Sequence, residues 1–407
     1  MLKSLSAAIL FALGSLSAQA AEFVLSDAAT GSDLGNWKVS SDSLGIKSPT
    51  PFTLEKRRLH GGKQEGVDLL LIDNGVMQIT LVPTRGMGIY QVKSGDLRLG
   101  WDSPVKEIVN PAFIDLESRN GLGWLDGFNE MMVRCGYEWT GHPGVDDNGQ
   151  LLSLHGRAQN TPASTVKVII DETAPYAIHV RGQVAERTFK KANLVTWTEL
   201  SVEPGANRFE IHDELTNLAD YEDEYQIIYH SNFGTPLLEE GAVVTAAASE
   251  ISPFNDYAKA GLKSWQTYLA PTKDFDEMVF NLKPKGDAEG NSLAVLHNKS
   301  GERGVAVGYN IKQLPVLTLW KNTDTKQQGY VTGIEPGTSY AYNTKYQRPL
   351  GLVPKLQPGQ SQHFDLSYTL LRTKADTEQA LAQVAKIQGN APVKLVNKPL
   401  VDLSKKK

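Results

Sequence analysis

The sequence predicts an all-β protein, folded as one large antiparallel β-sandwich. Three observations carry this. Apolar and polar residues alternate in many short runs, as in Arg208-Phe209-Glu210-Ile211-His212; a period of two marks a strand with one wet face. Turn formers punctuate the runs: Asn74-Gly75, Glu203-Pro204-Gly205, Ser300-Gly301 and Gln357-Pro358-Gly359. Helical periodicity is scarce.

Taken in order, residues 67–73 and 77–82 read as two strands joined at Asn74-Gly75, a strong hairpin signal. Strand patterns follow at 164–170, 177–184, 194–202, 208–215 and 225–230. Later ones lie at 292–296, 304–309, 315–320 and 363–371. The clearest helix comes near the end, with Asp376 read as N-cap, Gln379 in the capping-box position, an apolar stripe of Leu381, Val384 and Ala385, and Gly389 as the stop. No short-period repeat is present, which argues against a propeller or β-helix. No composition break divides residues 54–373, so these read as one sandwich domain, with residues 21–53 as an N-terminal extension and residues 374–407 as a terminal helix and tail.

The first twenty residues read as a signal peptide. Lys3 supplies a positive charge, residues 5–16 are apolar or small, and Ala18-Gln19-Ala20 matches a small-residue cleavage site. The apolar run is short for a bilayer span. The mature protein is therefore expected from Ala21, in the periplasm or secreted, with no membrane span after cleavage. Cys135 is the single cysteine, so no intrachain disulfide can form. The remaining chain of roughly 385 residues is long enough to bury a core without one. The net charge of −5 and the lack of a basic stripe argue against a nucleic-acid partner.

Three segments place ionisable side chains beside turn formers. Leu154-His155-Gly156-Arg157 is followed by Gln159-Asn160-Thr161-Pro162. Ile227-Ile228-Tyr229-His230-Ser231-Asn232-Phe233-Gly234 is an apolar strand ending in His-Ser-Asn; a strand-end histidine can present its imidazole to a cleft and donate a proton near neutrality. Gly333-Ile334-Glu335-Pro336-Gly337-Thr338 reads as a carboxylate between a strand and a Pro-Gly turn, held extended by the proline. Each alone reads more readily as a solvated turn or a hydrogen-bonded edge residue.

Together, and in this order on an all-β chain, the segments resemble the galactose mutarotase-like superfamily of aldose 1-epimerases. The resemblance covers most of residues 55–372. It is strongest to an uncharacterised branch, through Pro83-Thr84-Arg85-Gly86-Met87-Gly88, Cys135-Gly136, His155-Gly156-Arg157 and Asn160-Thr161-Pro162. It implies that Glu335 is the catalytic base, that His230 is the acid, and that His155 binds the sugar, with Arg157 beside it. The family's basic residue has two candidates, Arg85 and Arg134, the latter 21 residues before His155. Leu59-His60-Gly61-Gly62 matches the family's first histidine motif by letters but comes too early in the chain. The family's sugar-binding aspartate has no clear counterpart; Asp256 is the nearest candidate.

The implied reaction needs no cofactor. Glu335 takes the anomeric proton, His230 protonates the ring oxygen from the opposite side, and the opened sugar recloses as either anomer. The pH profile expected from this has an acidic limb set by Glu335 and a basic limb set by His230. Trp124, Trp139 or Trp320 can stack on the sugar or pack in the core. No phosphate-binding glycine loop and no clustered metal-ligand spacing occurs, so no metal is expected, although His155, His230 and Glu335 could in principle bind one. Two other functions share these residues: sugar binding without turnover, and another sugar epimerisation or elimination.

Overall fold

The computed structural model describes residues 20–403. The expected leader, Ala20 apart, and the Lys-rich residues 404–407 lie outside the described residues.

Two sheets face each other. The first has ten strands, in the spatial order Val243–Ala246, Asn291–His297, Gly304–Asn310, Ser361–Leu371, Arg208–Asn217, Asn193–Val202, Ile178–Arg187, Thr165–Asp171, Ala20–Asp27 and Ser32–Asp33. The second has thirteen. Six of its strands build the site: β1 (Gly88–Ser94), β2 (Met132–Tyr137), β3 (Gln226–Phe233), β4 (Met278–Pro284), β5 (Val316–Asn322) and β6 (Val331–Gly337). They lie side by side in the order β4-β5-β6-β3-β2-β1. This is the all-β sandwich that the alternating runs predict. Residues 21–53 supply strands to both sheets: Ala20–Asp27 pairs with Thr165–Asp171, and Trp37–Ser40 pairs with Thr53–Arg58.

Burial explains which runs alternate. In the ten-stranded sheet, Ile178–Arg187 and Arg208–Asn217 bury every second residue, because only their inner face meets the core. Phe209 and Tyr368 stack there with ring centroids 4.9 Å apart. By contrast, β2, β3 and β6 are buried along their whole length. Their inner residues, such as Ile227 and Tyr229, join the main core. Outer residues Val133, Cys135 and Ile228 pack under Trp124, Phe128 and Leu154 from the covering loops. The alternation is lost where a second layer sits on the sheet, and there the site forms.

The hairpin at Asn74-Gly75 is present. Asp68–Asp73 pairs with Gln78–Val82, and the Asn74 carboxamide accepts from the backbone N–H groups of Val76 and Met77. Three local readings are corrected. His230 does not end its strand, which runs on to Phe233. Pro336 and Gly337 form no turn; they lie within β6, with Pro336 opposite Leu317. The N-cap of helix α1 (Lys374–Gln388) is Thr373, while Asp376 is the third helical residue and returns its carboxylate to the Thr373 N–H. A capping box thus starts the helix one turn earlier than read. Gly389 stops it as expected. Among the described residues no helix is long and apolar enough to cross a membrane.

Candidate active site

Strand register assembles the site. Between β3 and β6, Ile228 pairs with Gly337 and Ser231 with Ile334, which sets His230 opposite Glu335. Val133 flanks His230 from β2, and Thr318 flanks Glu335 from β5. The four side chains form one rung on the outer face of the sheet. His230 Nε2 lies 3.3 Å from Glu335 Oε1. The acid and base expected on opposite sides of a sugar are neighbours on one side. Gly333 makes room for them: a Cβ there would come 2.5 Å from Glu335 Oε1 and 3.2 Å from His230 Cε1.

His155 arrives from a loop. Its backbone N–H donates to Gly141 O, its carbonyl accepts from Gly136 N, and Arg157 N donates to Gly136 O. Gly156 follows at φ 73°, pressed so closely on the carbonyls of Gly136 and Trp139 that any side chain would collide with them. Close backbone approach therefore explains the His-Gly pair. The His155 ring stands edge-on to His230, centroids 5.3 Å apart, and 4.8 Å from Trp124.

These groups open into a pocket of about 160 Å³. Its walls are mainly apolar and aromatic, with Trp124, Phe128 and Trp320 around the His230 ring. At one side Trp320 Nε1 donates to Glu277 Oε2 at 2.7 Å, and His142 Nε2 lies 3.9 Å from Glu277 Oε1. His142 Nδ1 donates to Ala341 O, leaving Nε2 free. Several buried polar atoms have no protein partner: His155 Nδ1, His230 Nδ1, Trp124 Nε1, Thr318 Oγ1 and Glu335 Oε1. Such atoms are rare in folded proteins and mark a place for a polar ligand.

Burial controls the protonation states. It pushes the Glu335 carboxyl well above the usual carboxylate range, and the charge of Glu277 adds to this. Burial also pulls His230 down to about 4 and His155 well below the ordinary imidazole value. Taking either charge out of water is costly, so burial pushes each group toward its neutral form. Burial thus favours the neutral pair, with the proton on the carboxyl, 3.3 Å from an imidazole able to accept it.

Of the residues expected in the site, His155, His230, Glu335, Trp124 and Trp320 line this pocket. The three arginines do not. Arg85 is fully buried behind it, paired with Glu130 and donating to Val109 O, Asn160 Oδ1 and Gly127 O. It joins the two distinctive sequence segments as a loop clamp. Arg134 points into the sandwich, donating from Nε and Nη2 to Asp213 on the facing sheet. Arg157 lies over the Trp139 ring and pairs with Glu138. Trp139 itself donates to Ser153 O, away from the pocket. His60 is exposed and pairs with Glu65, and Asp256 pairs with Lys259 at the surface. Glu277, His142, Thr318 and Phe128 line the pocket without having been singled out in the sequence. Glu277 closes the acidic run Asp274-Phe275-Asp276-Glu277. Among the described residues no group of three or more His, Cys, Asp or Glu side chains is spaced to hold a metal ion.

Residues 64–370 match the family model described as Domain of unknown function (DUF4432). The chain belongs to this DUF4432 family. A crystal structure from Klebsiella pneumoniae subsp. pneumoniae MGH 78578, provisionally named an aldose 1-epimerase, is similar over 94% of this chain and 100% of its own, with 58% identity and a TM-score of 0.92. A galactose mutarotase-like protein from Clostridium acetobutylicum aligns over 79% of this chain and 98% of its own, at 14% identity and TM-score 0.53. The galactose 1-epimerase of Lactobacillus acidophilus NCFM aligns over 78% and 98%, at 12% identity and TM-score 0.50. The last two likenesses concern the fold alone. No curated protein matches the chain by sequence. This DUF4432 member is thus a galactose mutarotase-like sandwich, in accord with the resemblance read from its motifs.

Proposed function

We propose that this protein is an aldose 1-epimerase, which opens and recloses a sugar ring through the His230–Glu335 pair. The observation that carries the reading is the 3.3 Å approach of the two groups on the floor of a buried, aromatic-walled pocket. The anomeric hydroxyl and the ring oxygen are bonded to the same carbon. Two adjacent proton-transfer groups on one side of the ring suit them.

The step balances within the pair. One member takes the proton from the anomeric oxygen as the carbonyl forms, the C1–ring-oxygen bond breaks, and the other member gives its proton to the ring oxygen. The assignment that the family resemblance implies, Glu335 as base and His230 as acid, needs the carboxylate–imidazolium form. The neutral form favoured by burial reverses the roles in the same geometry. The two differ only by a proton shift within the pair, so reclosure on the opposite face regenerates the starting state. His155 is a hydrogen-bonding group for the sugar, and Glu277 stands where an acidic hydroxyl acceptor is otherwise lacking. Aromatic faces of Trp124 and Trp320 supply stacking surface. We place the mature protein in the periplasm or outside the cell, on the leader-like first twenty residues.

The test is anomer exchange. Purified protein added to a freshly dissolved single anomer should speed mutarotation, followed by polarimetry or exchange NMR across a sugar panel. Binding without acceleration over the buffer rate on every sugar would replace this reading with a binding protein. New products in place of new anomers would replace it with another sugar reaction.

A further inference from the structure

We infer that the sugar taken by this pocket is uncharged and hydroxyl-poor: a deoxy sugar that turns a methyl or methylene group to the apolar wall. The inference rests on the proposed reaction for its site, and it is carried by the make-up of the lining.

The first observation concerns charge. The pocket lining contains no arginine or lysine. Arg85, Arg134 and Arg157, the three arginines expected at the sugar, are all committed elsewhere. The two carboxyl groups that do line it, Glu277 and Glu335, would face a phosphate, carboxylate or sulfonate with no counter-charge. A buried anion without a partner is strongly disfavoured, and burial holds His155 and His230 toward their neutral forms.

The second concerns hydroxyls. Neighbouring hydroxyl pairs are matched best by two-pronged side chains: carboxylate, carboxamide or guanidinium. The lining has no asparagine, glutamine or arginine. Glu335 belongs to the reacting pair with His230, and Glu277 has one oxygen taken by Trp320. Single-point groups remain: His142, His155 and Thr318, with Trp124 Nε1. The rest of the wall is hydrocarbon, including Leu122, Leu125, Phe128, Leu154, Val279 and Ala341. A hydroxyl turned to that wall loses its water and gains no partner, whereas a methyl there gains burial.

Discrimination of this kind amounts to about 10- to 100-fold, the range by which an apolar pocket separates ligands differing in one small group. The experiment compares galactose with 6-deoxygalactose, mannose with 6-deoxymannose, and glucose with 2-deoxyglucose, adding galactose 6-phosphate and galacturonate. Anomer exchange by NMR and calorimetric binding are both recorded on wild-type protein. A deoxy sugar that exceeds its parent at least about tenfold in kcat/KM or affinity, with no response to the two anions, is the expected result. Parents equal to or better than every deoxy partner, or an anion handled as well as its neutral relative, would overturn the inference while leaving the reaction in place. Tighter deoxy-sugar binding without turnover would overturn the reaction and leave this inference standing. Absence of both binding and turnover across the panel overturns both.

Discussion

His230 and Glu335 stand opposite each other on adjacent strands, Nε2 to Oε1 at 3.3 Å, although 105 residues separate them in the chain. Strand register places them there, and burial on both faces of the sheet sets their protonation.

Replacing either member should remove turnover and spare binding. Glu335→Gln keeps the shape and a hydrogen bond but cannot exchange the anomeric proton. His230→Asn removes the imidazole. Each should lower the anomer-exchange rate by about 10²–10⁴-fold, the usual contribution of one acid–base group. Calorimetry on the same variants should show sugar affinity within a few fold of wild type. A variant retaining near-wild-type rate would remove that residue from the mechanism.

The pH dependence should invert the assignment that the sequence suggests. His230 is held down to about 4 and Glu335 well above the carboxylate range. The working pair carries one proton. Below His230's value it holds two and has no base; above Glu335's value it holds none and has no acid. The acidic limb of kcat/KM therefore belongs to His230, near pH 4, and the basic limb to Glu335. An acidic limb at the ordinary histidine value near 6.5 would contradict the buried, neutral imidazole.

The same carboxyl should leave a mark on stability. Glu335 binds its proton more tightly folded than unfolded, so the folded state loses stability as pH rises from the ordinary carboxylate value through the raised one. Glu335→Gln lacks that loss. Its Tm relative to wild type should climb between pH 4.5 and pH 8, measured by calorimetry. A constant offset across that range would show a carboxyl of ordinary affinity.

Gly333→Ala should separate site from fold. The added methyl meets the end of the Glu335 side chain at 2.5 Å, where a flexible group can shift. Expression and Tm should change little, while anomer exchange falls at least about tenfold through the displaced pair. Unchanged turnover would show that the pair's spacing is not critical.

Arg134→Met should act on stability alone. It leaves the Asp213 carboxylate buried with only the Tyr229 hydroxyl as donor, and breaking such a pair costs about 3–5 kcal/mol. Urea unfolding measures the loss, and adding Asp213→Asn should recover part of it. Sugar affinity of the folded variant should match wild type, since Arg134 faces the interior. A selective loss of affinity would return it to the site.

N-terminal sequencing of exported material should begin Ala21-Glu22-Phe23. Retention of Met1 on membrane-bound protein would contradict the leader reading.

What the sequence determined by itself is local. Alternation with period two marked Arg208–Asn217 and its neighbours because one face of those strands meets the core and the other meets water. Asn74-Gly75 marked its hairpin because its backbone conformation is locally encoded. His155, His230 and Glu335 stood out because each sits beside residues with strong backbone constraints. The tertiary structure decided what no local pattern carries. Strand β2 shows no alternation in the chain because both its faces are buried, and β6 runs on through the Pro-Gly pair that reads as a turn. Arg85, Arg134 and Arg157 read alike in the chain, yet their donors go to a loop clamp, to Asp213 across the sandwich and to the part-buried Glu138. Glu277 lies at the pocket because Trp320, 43 residues away in the chain, donates to it. A side chain's partners and its desolvation depend on contacts distant in sequence. The chain alone could thus single out His230 and Glu335, and only their packing shows that they meet at 3.3 Å in a buried pocket.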